Sequence, residues 1–187
     1  MRVLGISGSL RRDSHNTRLL RAAAELLPPG AELEIYDGLR EIPPFDEDLE
    51  AGPEPEAVAR FREAIAGADA VLIATPEYNH SLPGQLKNAL DWASRPVATS
   101  VLRNKRVAVI GASTSLFGAV WAQAEGRKVL AATGARVVDR ELPIPQAAEH
   151  FTGDELTNPD IEAELTSILA ELAGAGDAQH SVLSLPA

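Results

Sequence analysis

A polar loop that joins an apolar run to an amphipathic helix constrains the fold of this chain more than any other feature. Residues 3–20 read VLGISGSLRRDSHNTRLL. The run that ends at Ile6 predicts a buried strand, and helical spacing of apolar residues begins after Thr17. The loop between them holds two cations and five hydrogen-bonding side chains, namely Arg11, Arg12, Ser7, Ser9, Ser14, Asn16 and Thr17. Because a helix N-terminus has free N–H groups and a partial positive charge, we interpret this loop as a phosphate cradle.

The same residue types also have an ordinary structural interpretation. Serine, asparagine and threonine commonly cap helices, and Gly-Ser is a common turn. Two familiar nucleotide motifs do not fit. The Walker pattern needs a lysine that this loop lacks, and the dinucleotide pattern needs three spaced glycines where only Gly5 and Gly8 occur. Residue types alone therefore leave helix capping and phosphate binding both open.

The segment GSLRRDSHNTRLLRAA resembles the phosphate loop of the NAD(P)H-dependent FMN reductase family, which includes quinone, chromate and azo-dye reductases of flavodoxin-like fold. The family pattern is Gly-Ser-Leu-Arg, two variable residues, Ser, one variable residue and Asn-Thr. The matching positions are Gly8, Ser9, Leu10, Arg11, Ser14, Asn16 and Thr17. The resemblance implies that the ribityl phosphate of FMN is held by Ser9, Arg11, Ser14, His15, Asn16 and Thr17.

The totals of the chain limit its class. Its 187 residues fit one domain, which we expect over residues 1–173, with a flexible tail over 174–187. A net charge of −10 argues against a nucleic-acid partner, and the absence of cysteine excludes disulfides, thiolate metal sites and cysteine nucleophiles. No second ligand accompanies His80 at helical spacing, so we expect no metal. The N-terminal apolar run is too short for a signal peptide or a membrane span, so we expect a cytoplasmic protein with no membrane partner.

Five apolar runs alternate with helical patterns along the chain. The runs cover residues 3–7, 31–36, 70–75, 105–112 and 135–138. This alternation predicts an α/β fold, a three-layer α/β/α sandwich of flavodoxin-like type with a five-stranded parallel sheet in the order 2-1-3-4-5. A ligand would bind beyond the carboxyl ends of the strands, where residues 8–17, 76–82 and 112–118 form the connecting loops.

The second of these loops, TPEYNHSLPG, is longer and richer in side chains than a strand-to-helix turn requires. Its prolines fix the path of the backbone, as the wall of a flavin site needs, although Tyr78 could also cover the edge of the core and His80 could be a surface residue. The loop and the helix after it resemble the second signature of the same family. Matching residues are Pro76, Glu77, Tyr78, Asn79, Ser81, Pro83, Gly84, Leu86, Lys87, Asn88, Ala89, Asp91 and Trp92.

That resemblance implies contacts between the flavin ring and Pro76, Glu77, Tyr78 and Asn79. It also implies a homodimer or homotetramer that forms through the helix around Asp91 and Trp92.

The third loop, GASTSLFGAVWAQ, departs from the family pattern in part. The fitting residues are Ser113, Phe117, Gly118, Ala122 and Gln123, and the resemblance implies a ring contact at Ser113. Thr114, Ser115, Leu116 and Ala119 replace residues that are commonly proline or glycine, and Trp121 stands where a basic residue is common. These departures concern the pocket for the second substrate and the assembly. We expect Trp121 to be a packing or interface residue rather than a substrate platform.

The resemblance implies an enzyme that moves hydride from NAD(P)H, as co-substrate, through bound FMN to a small-molecule electron acceptor by a ping-pong route. Quinones, azo dyes, metal oxyanions and free flavins are the candidate acceptors. No catalytic side chain is expected, because the reaction takes place at flavin N5. Two alternatives stay open, a flavodoxin-like FMN electron carrier without NAD(P)H activity and a binding module of this fold that has lost its cofactor.

Overall fold

The computed structural model describes residues 1–174. Parallel strands form a sheet in the order β2-β1-β3-β4-β5, and the end of β4 also pairs with β6. The strands are β1 (Arg2–Ser7), β2 (Glu32–Tyr36), β3 (Ala70–Ala74), β4 (Arg106–Ala112), β5 (Arg136–Val137), β6 (Pro143–Ile144), β7 (Phe151–Thr152) and β8 (Glu155–Leu156). The predicted order 2-1-3-4-5 is confirmed, and β7 and β8 form a separate antiparallel hairpin.

Helices cover both faces of the sheet. They are α1 (His15–Leu26), α2 (Glu47–Glu50), α3 (Glu56–Gly67), α4 (Gly84–Ala93), α5 (Val120–Ala132) and α6 (Pro159–Leu172). Side chains of α3, α4 and α5 pack with one face of the sheet in one core, in which Phe61 is fully buried. Side chains of α1 and α6 pack on the other face, around Leu19 and Leu169. The predicted three-layer α/β/α sandwich is therefore confirmed.

The fifth strand differs from the prediction, which placed one strand over residues 135–138. β5 pairs with the start of β4, the chain then leaves the sheet, and β6 returns to pair with the end of β4. The buried side chain of Gln123 lies at this break, where its Oε1 accepts a hydrogen bond from the N–H of Leu142 at 2.8 Å. Its Nε2 donates to the carbonyl of Leu142 at 3.2 Å. The sheet thus has six strands among the described residues. At the interruption between β5 and β6, the side-chain amide of Gln123 supplies hydrogen-bond partners for the N–H and carbonyl of Leu142.

The connection between β2 and α3 is held down by side chains of α4. Gln85 donates to the carbonyls of Leu39 and Ile42 at 2.7 and 2.9 Å, and Asn88 donates to the carbonyl of Pro43 at 2.8 Å. The N–H of Phe45 donates to Asn88 Oδ1 at 2.6 Å. These hydrogen bonds fix the backbone of residues 42–45 against α4. Within residues 1–174, no helix is both long and apolar enough to cross a membrane.

Candidate functional site

The three polar loops meet at the carboxyl ends of β1, β3 and β4, as the sequence predicts. They enclose a cleft of about 160 Å³. It is lined by Ser9, Arg11, Ser14, His15, Asn16, Pro76, Glu77, Tyr78, Ala112, Ser113 and Thr114. Every residue predicted to bind the cofactor is in this lining except Thr17 and Asn79. A larger concavity of about 660 Å³ lies along α1, β2 and β8 and shares no residue with the cleft. Polar groups from three strand ends converge only on the smaller one, which we take as the candidate site.

The first loop uses Ser14 as the N-terminal cap of α1. Its Oγ accepts hydrogen bonds from the N–H groups of Asn16 and Thr17 at 3.1 and 3.4 Å. The capping interpretation of this serine is therefore correct, and it does not conflict with ligand binding. A hydroxyl that accepts two N–H groups still has its own O–H to donate into the cleft.

Asn16 has a structural task that the sequence analysis missed. Its side chain is buried, its Nδ2 donates to the carbonyl of Ala112 at 2.9 Å, and its Oδ1 accepts from the N–H of Ala112 at 2.9 Å. Thr17 likewise donates to Ser7 Oγ at 3.0 Å. In this structure the side chains of these two predicted phosphate ligands are bound to the protein itself. They shape the loop and join it to the end of β4.

Gly8 stands where a larger residue would clash with its neighbours. A Cβ at this position would lie 2.8 Å from Leu86 Cδ2 and 3.2 Å from Thr75 Oγ1. The N–H of Gly8 donates to the carbonyl of Ala74 at 2.8 Å. The glycine therefore allows the first loop to pack against the end of β3 and against α4.

Arg11 and His15 supply the charged and titratable groups of the first loop. The guanidinium of Arg11 donates to the carbonyl of Asp13 through Nε at 3.1 Å and Nη2 at 2.6 Å. His15 Nδ1 is buried and has no hydrogen-bond partner among the described residues. Burial lowers the pKa of His15 below its usual value, and the nearby charges of Arg18 and Arg11 lower that pKa further. An unpaired buried nitrogen is uncommon in folded proteins, and this one belongs to a residue that lines the cleft.

The second loop is a tight turn rather than an extended wall. Tyr78 and Ser81 exchange two backbone hydrogen bonds, each of 3.2 Å. Asn79 and His80 between them have φ values of 53° and 59°. Left-handed angles cost an ordinary non-glycine residue about 1–2 kcal/mol, and asparagine and histidine adopt them more readily than most, so the turn carries a modest strain. Tyr78 lines the cleft and is 55% exposed, whereas Asn79 lies at the tip of the turn outside the lining.

The side chain of Glu77 caps α5, the helix that follows the third loop, and the sequence did not predict this role. Its side chain is only 8% exposed, and its Oε2 accepts from the N–H groups of Trp121 and Ala122 at 3.0 and 3.1 Å. The residue before α5 is Ala119, which has no side chain able to cap a helix. A carboxylate at the N-terminus of α5 satisfies free amides and interacts favourably with the helix dipole. The missing local cap was the one sequence signal that could have indicated this role.

Two exposed aromatic side chains, at the end of the third loop and the start of α5, lie beside the second loop and outside the lining of the cleft. Phe117 is 56% exposed and Trp121 is 40% exposed. Their ring centroids lie 4.8 Å apart, and the Trp121 ring meets His80 edge-on at 4.5 Å. We call Tyr78, Phe117 and Trp121 the aromatic rim. Trp121 packs against two rings as expected for a packing residue, yet much of its indole surface faces solvent.

Trp92 does not have the exposure that a role at a subunit interface needs. It is 2% exposed, and its Nε1 donates to the carbonyl of Pro43 in the same chain at 2.9 Å. Asp91 is partly exposed and pairs with Lys87 at 2.7 Å. The indole therefore belongs to the core of this chain, and any interface on this helix would use Asp91 and its exposed neighbours instead.

The residues of the cleft fit a ligand with an anionic end and a flat, less polar part. Hydroxyls, a guanidinium and an orphaned imidazole nitrogen surround the N-terminus of α1, as an anion requires. The Tyr78 turn and the start of the third loop offer backbone and aromatic surface at the other end. No group of three potential metal ligands among histidine, aspartate and glutamate occurs within the described part of the chain.

Known proteins resemble this chain over all three loops. A family model described as NADPH-dependent FMN reductase matches residues 1–149. An NAD(P)H-dependent FMN reductase of Pseudomonas aeruginosa is 50% identical over 130 residues, which cover 70% of this chain and 69% of that protein. A quinone reductase of Pseudomonas putida is 40% identical over 151 residues, 81% of this chain and 77% of that protein. The structure of FerB, a flavoenzyme NAD(P)H:(acceptor) oxidoreductase from Paracoccus denitrificans, matches with a TM-score of 0.81 at 34% identity and covers 91% of this chain and 94% of its own.

Proposed function

The chain belongs to the NADPH-dependent FMN reductase family, and from that premise we propose that it passes electrons from NAD(P)H to a quinone by a ping-pong route. It is an NAD(P)H-dependent oxidoreductase with FMN as its cofactor. In the proposed order, the oxidised nicotinamide leaves before the quinone binds at the same open side of the cleft. When bound, FMN supplies the chemistry of hydride acceptance and electron transfer, so the protein has to bind, orient and expose it.

The phosphate end is the better defined half of the proposed cofactor site. Ser9, Arg11, Ser14 and His15 would hold the phosphate, since all four line the cleft beside the N-terminus of α1. The orphaned Nδ1 of His15 would gain a partner there. Asn16 and Thr17 would contribute through the loop shape that their side chains maintain.

The ring end depends on the second and third loops. Pro76, Glu77, Tyr78 and Ser113 line that part of the cleft and would contact the ring. Asn79 would do so from the tip of the turn. The Glu77 carboxylate is already bound to two amides of α5, so its contribution would come from its backbone and from the position it fixes for Tyr78.

The aromatic rim is the observation that supports a quinone as the acceptor. Tyr78 lines the cleft, and the other two rings are exposed beside the same loop; exposed aromatic side chains favour a flat partner that stacks on them or meets them edge-on. Azo dyes and free flavins share this shape, whereas a small metal oxyanion would gain nothing from the rim. The similarity to a quinone reductase of Pseudomonas putida, which covers 81% of this chain, also supports a quinone as the acceptor.

Anaerobic stopped-flow measurements test the proposal in two steps. NADPH mixed with FMN-loaded protein should bleach the flavin absorbance in a single turnover, and 1,4-benzoquinone added afterwards, without NADPH, should restore it. Initial rates with both substrates varied should give parallel double-reciprocal lines. An electron carrier without NAD(P)H activity would show no bleaching. Intersecting lines would contradict the ping-pong order.

A further inference from the structure

Two carboxylates connect the second loop and α5 in opposite directions. Glu77 belongs to the second loop and binds the N–H groups of Trp121 and Ala122 on α5. Glu125 belongs to α5, and its Oε2 accepts from the hydroxyl of Ser81 and, at 3.0 Å, from the N–H of Leu82. The two contacts flank the turn from Tyr78 to Ser81 on either side. We call Glu77 and Glu125 together the carboxylate brace.

The carboxylate brace offsets the conformational strain of the turn that it flanks. Asn79 and His80 both adopt left-handed backbone angles without being glycine. The two backbone hydrogen bonds between Tyr78 and Ser81 are the only ones described within the turn, and both are 3.2 Å long. A strained conformation persists where the surroundings determine it from several sides. Anchors at Glu77 and at Ser81 provide such constraints, one before the turn and one at its end.

The surroundings of Glu125 keep its carboxylate in the charged form. The hydrogen bond from Ser81 lowers the pKa of Glu125, and the N–H of Leu82 adds to this effect. Burial raises that pKa, while Lys87 and Lys128 lower it. The ionised carboxylate is the stronger acceptor, so the contact with Ser81 and Leu82 is charge-assisted at neutral pH.

We propose that the carboxylate brace positions the flavin-ring end of the site, by holding the Tyr78 turn in its bound shape before the cofactor arrives. This inference rests on the proposed function, in which the turn contacts the ring. A turn that is already ordered loses no conformational entropy when the cofactor binds, so the affinity for the cofactor is higher. Glu77 and Glu125 are in this sense positioning residues, because they act through the turn and not on the reacting atoms.

A comparison of two flavins distinguishes the effect of the carboxylate brace from the effect of the phosphate cradle. Riboflavin has the ring and the ribityl chain of FMN but lacks the phosphate. Loss of the brace should weaken riboflavin and FMN by the same factor, so that their affinity ratio is unchanged. Damage to the phosphate cradle should weaken FMN alone.

Isothermal titration of both flavins against Glu125→Ala, Glu125→Gln and Glu141→Ala tests this expectation. Glu125→Ala should raise both dissociation constants about tenfold, in line with the loss of charge-assisted hydrogen bonds. Glu125→Gln keeps an acceptor oxygen and should restore most of that loss. Glu141, between β5 and β6, pairs with Arg127 of α5 and has no described contact with the turn, so Glu141→Ala should leave both constants unchanged. An unchanged riboflavin affinity in folded Glu125→Ala protein would overturn the proposal.

Hydrogen exchange in the cofactor-free protein provides a readout that does not require flavin. In Glu125→Ala, the amides of Ser81 and Leu82 should exchange faster than in the wild type, while the amide of Gly8 keeps its protection. If Glu125→Ala does not fold, Ser81→Ala removes the hydroxyl donor from the other side and decides the question. Wild-type protein that binds neither flavin would refute the proposed function, whereas unchanged exchange in both variants would refute the brace alone.

Discussion

Asn16 and Ala112 exchange two hydrogen bonds, one from the side-chain amide to the backbone carbonyl and one from the backbone N–H to the side-chain oxygen, both 2.9 Å long. The pair joins the first turn of α1 to the last residue of β4, across the strand β3 that lies between β1 and β4. The side-chain amide of Asn16 thus pairs with the backbone of Ala112 as the backbone of a neighbouring strand would. It fixes the distance between two of the three loops that form the cleft.

Asn16→Ala should lower the free energy of unfolding by about 2–4 kcal/mol, because the buried N–H and carbonyl of Ala112 both lose their partner. Urea unfolding measures this change. Thr157→Ala, at an exposed position, is the matched control and should shift stability by less than about 0.5 kcal/mol. Equal stabilities of the two variants would contradict the role assigned to Asn16.

Arg11→Ala should weaken FMN binding about tenfold and leave riboflavin binding unchanged. A charge-assisted hydrogen bond to phosphate contributes about 1.5–3 kcal/mol, and the low end applies because the guanidinium already donates to the carbonyl of Asp13. Isothermal titration with both flavins measures the effect. Arg2→Ala removes the same charge at the opposite end of β1 and should change neither affinity. An equal loss for FMN and riboflavin would place Arg11 at the ring rather than at the phosphate.

Gly118→Ala should destabilise the fold by about 2–4 kcal/mol. Gly118 has a φ of +59°, and a Cβ there would lie 2.6 Å from the backbone nitrogen of Ile144. Gly67→Ala, with nothing within 4 Å of the added carbon, should be neutral or stabilise the protein by up to about 1 kcal/mol. Thermal or urea unfolding of the two variants gives the comparison, which fails if Gly118→Ala is as stable as Gly67→Ala.

His15 should make the cofactor-free protein less stable in weak acid. Its folded-state pKa is lowered by burial, whereas in the unfolded chain the pKa is about 6.5. As the pH falls below about 6.5, the unfolded chain takes up the proton first, so stability declines until the folded-state pKa is passed. His15→Gln removes this part of the decline, and the other three histidines are common to both proteins. Urea midpoints between pH 7.5 and 5.5 that fall equally for both proteins would contradict the prediction.

Trp121→Ala should raise KM for 1,4-benzoquinone about threefold to tenfold, as expected when an aromatic contact of about 0.5–1.5 kcal/mol is lost. The rate with ferricyanide, which needs no stacking surface, should stay within about twofold of the wild type. Val97→Ala removes an exposed apolar side chain elsewhere and is the control. Steady-state kinetics with both acceptors measures the effect. An equal effect on the two acceptors would show that the aromatic rim is not part of the acceptor site.

The sequence predicted the layers, the strand order and the meeting of three loops because each depends on local patterns. Buried runs such as Val3 to Ile6 and Ala70 to Ala74 are fully apolar, and parallel connectivity brings their carboxyl ends together. The phosphate-loop residues were assigned through their resemblance to a family pattern, and their binding of phosphate stays a prediction. Sequence spacing shows which residues line an edge of the sheet.

What the sequence could not show is how each polar side chain is used. Asn16 and Glu77 were assigned to a ligand, yet their side-chain atoms bind backbone groups more than 40 positions away. Gln123 and the break between β5 and β6 depend in the same way on a contact that no local pattern records. Tertiary hydrogen bonds of this kind follow from the packed arrangement and not from residue order.

Other expectations stay predictions. They are the homodimer or homotetramer, the cytoplasmic location and the single domain over 1–173. The flexible tail expected over 174–187 lies, apart from Gly174, outside the described residues.

The burial of Trp92 against the carbonyl of Pro43 has a practical consequence when Trp121 is considered with it. The chain has two tryptophans, one enclosed in the core and one partly exposed beside the second loop. Their emission should differ in wavelength and in sensitivity to aqueous quenchers such as iodide. A Trp121→Phe protein would emit from the core alone and report unfolding, and a Trp92→Phe protein would report events around the second loop. The molecule thus carries two built-in optical probes that need no attached dye.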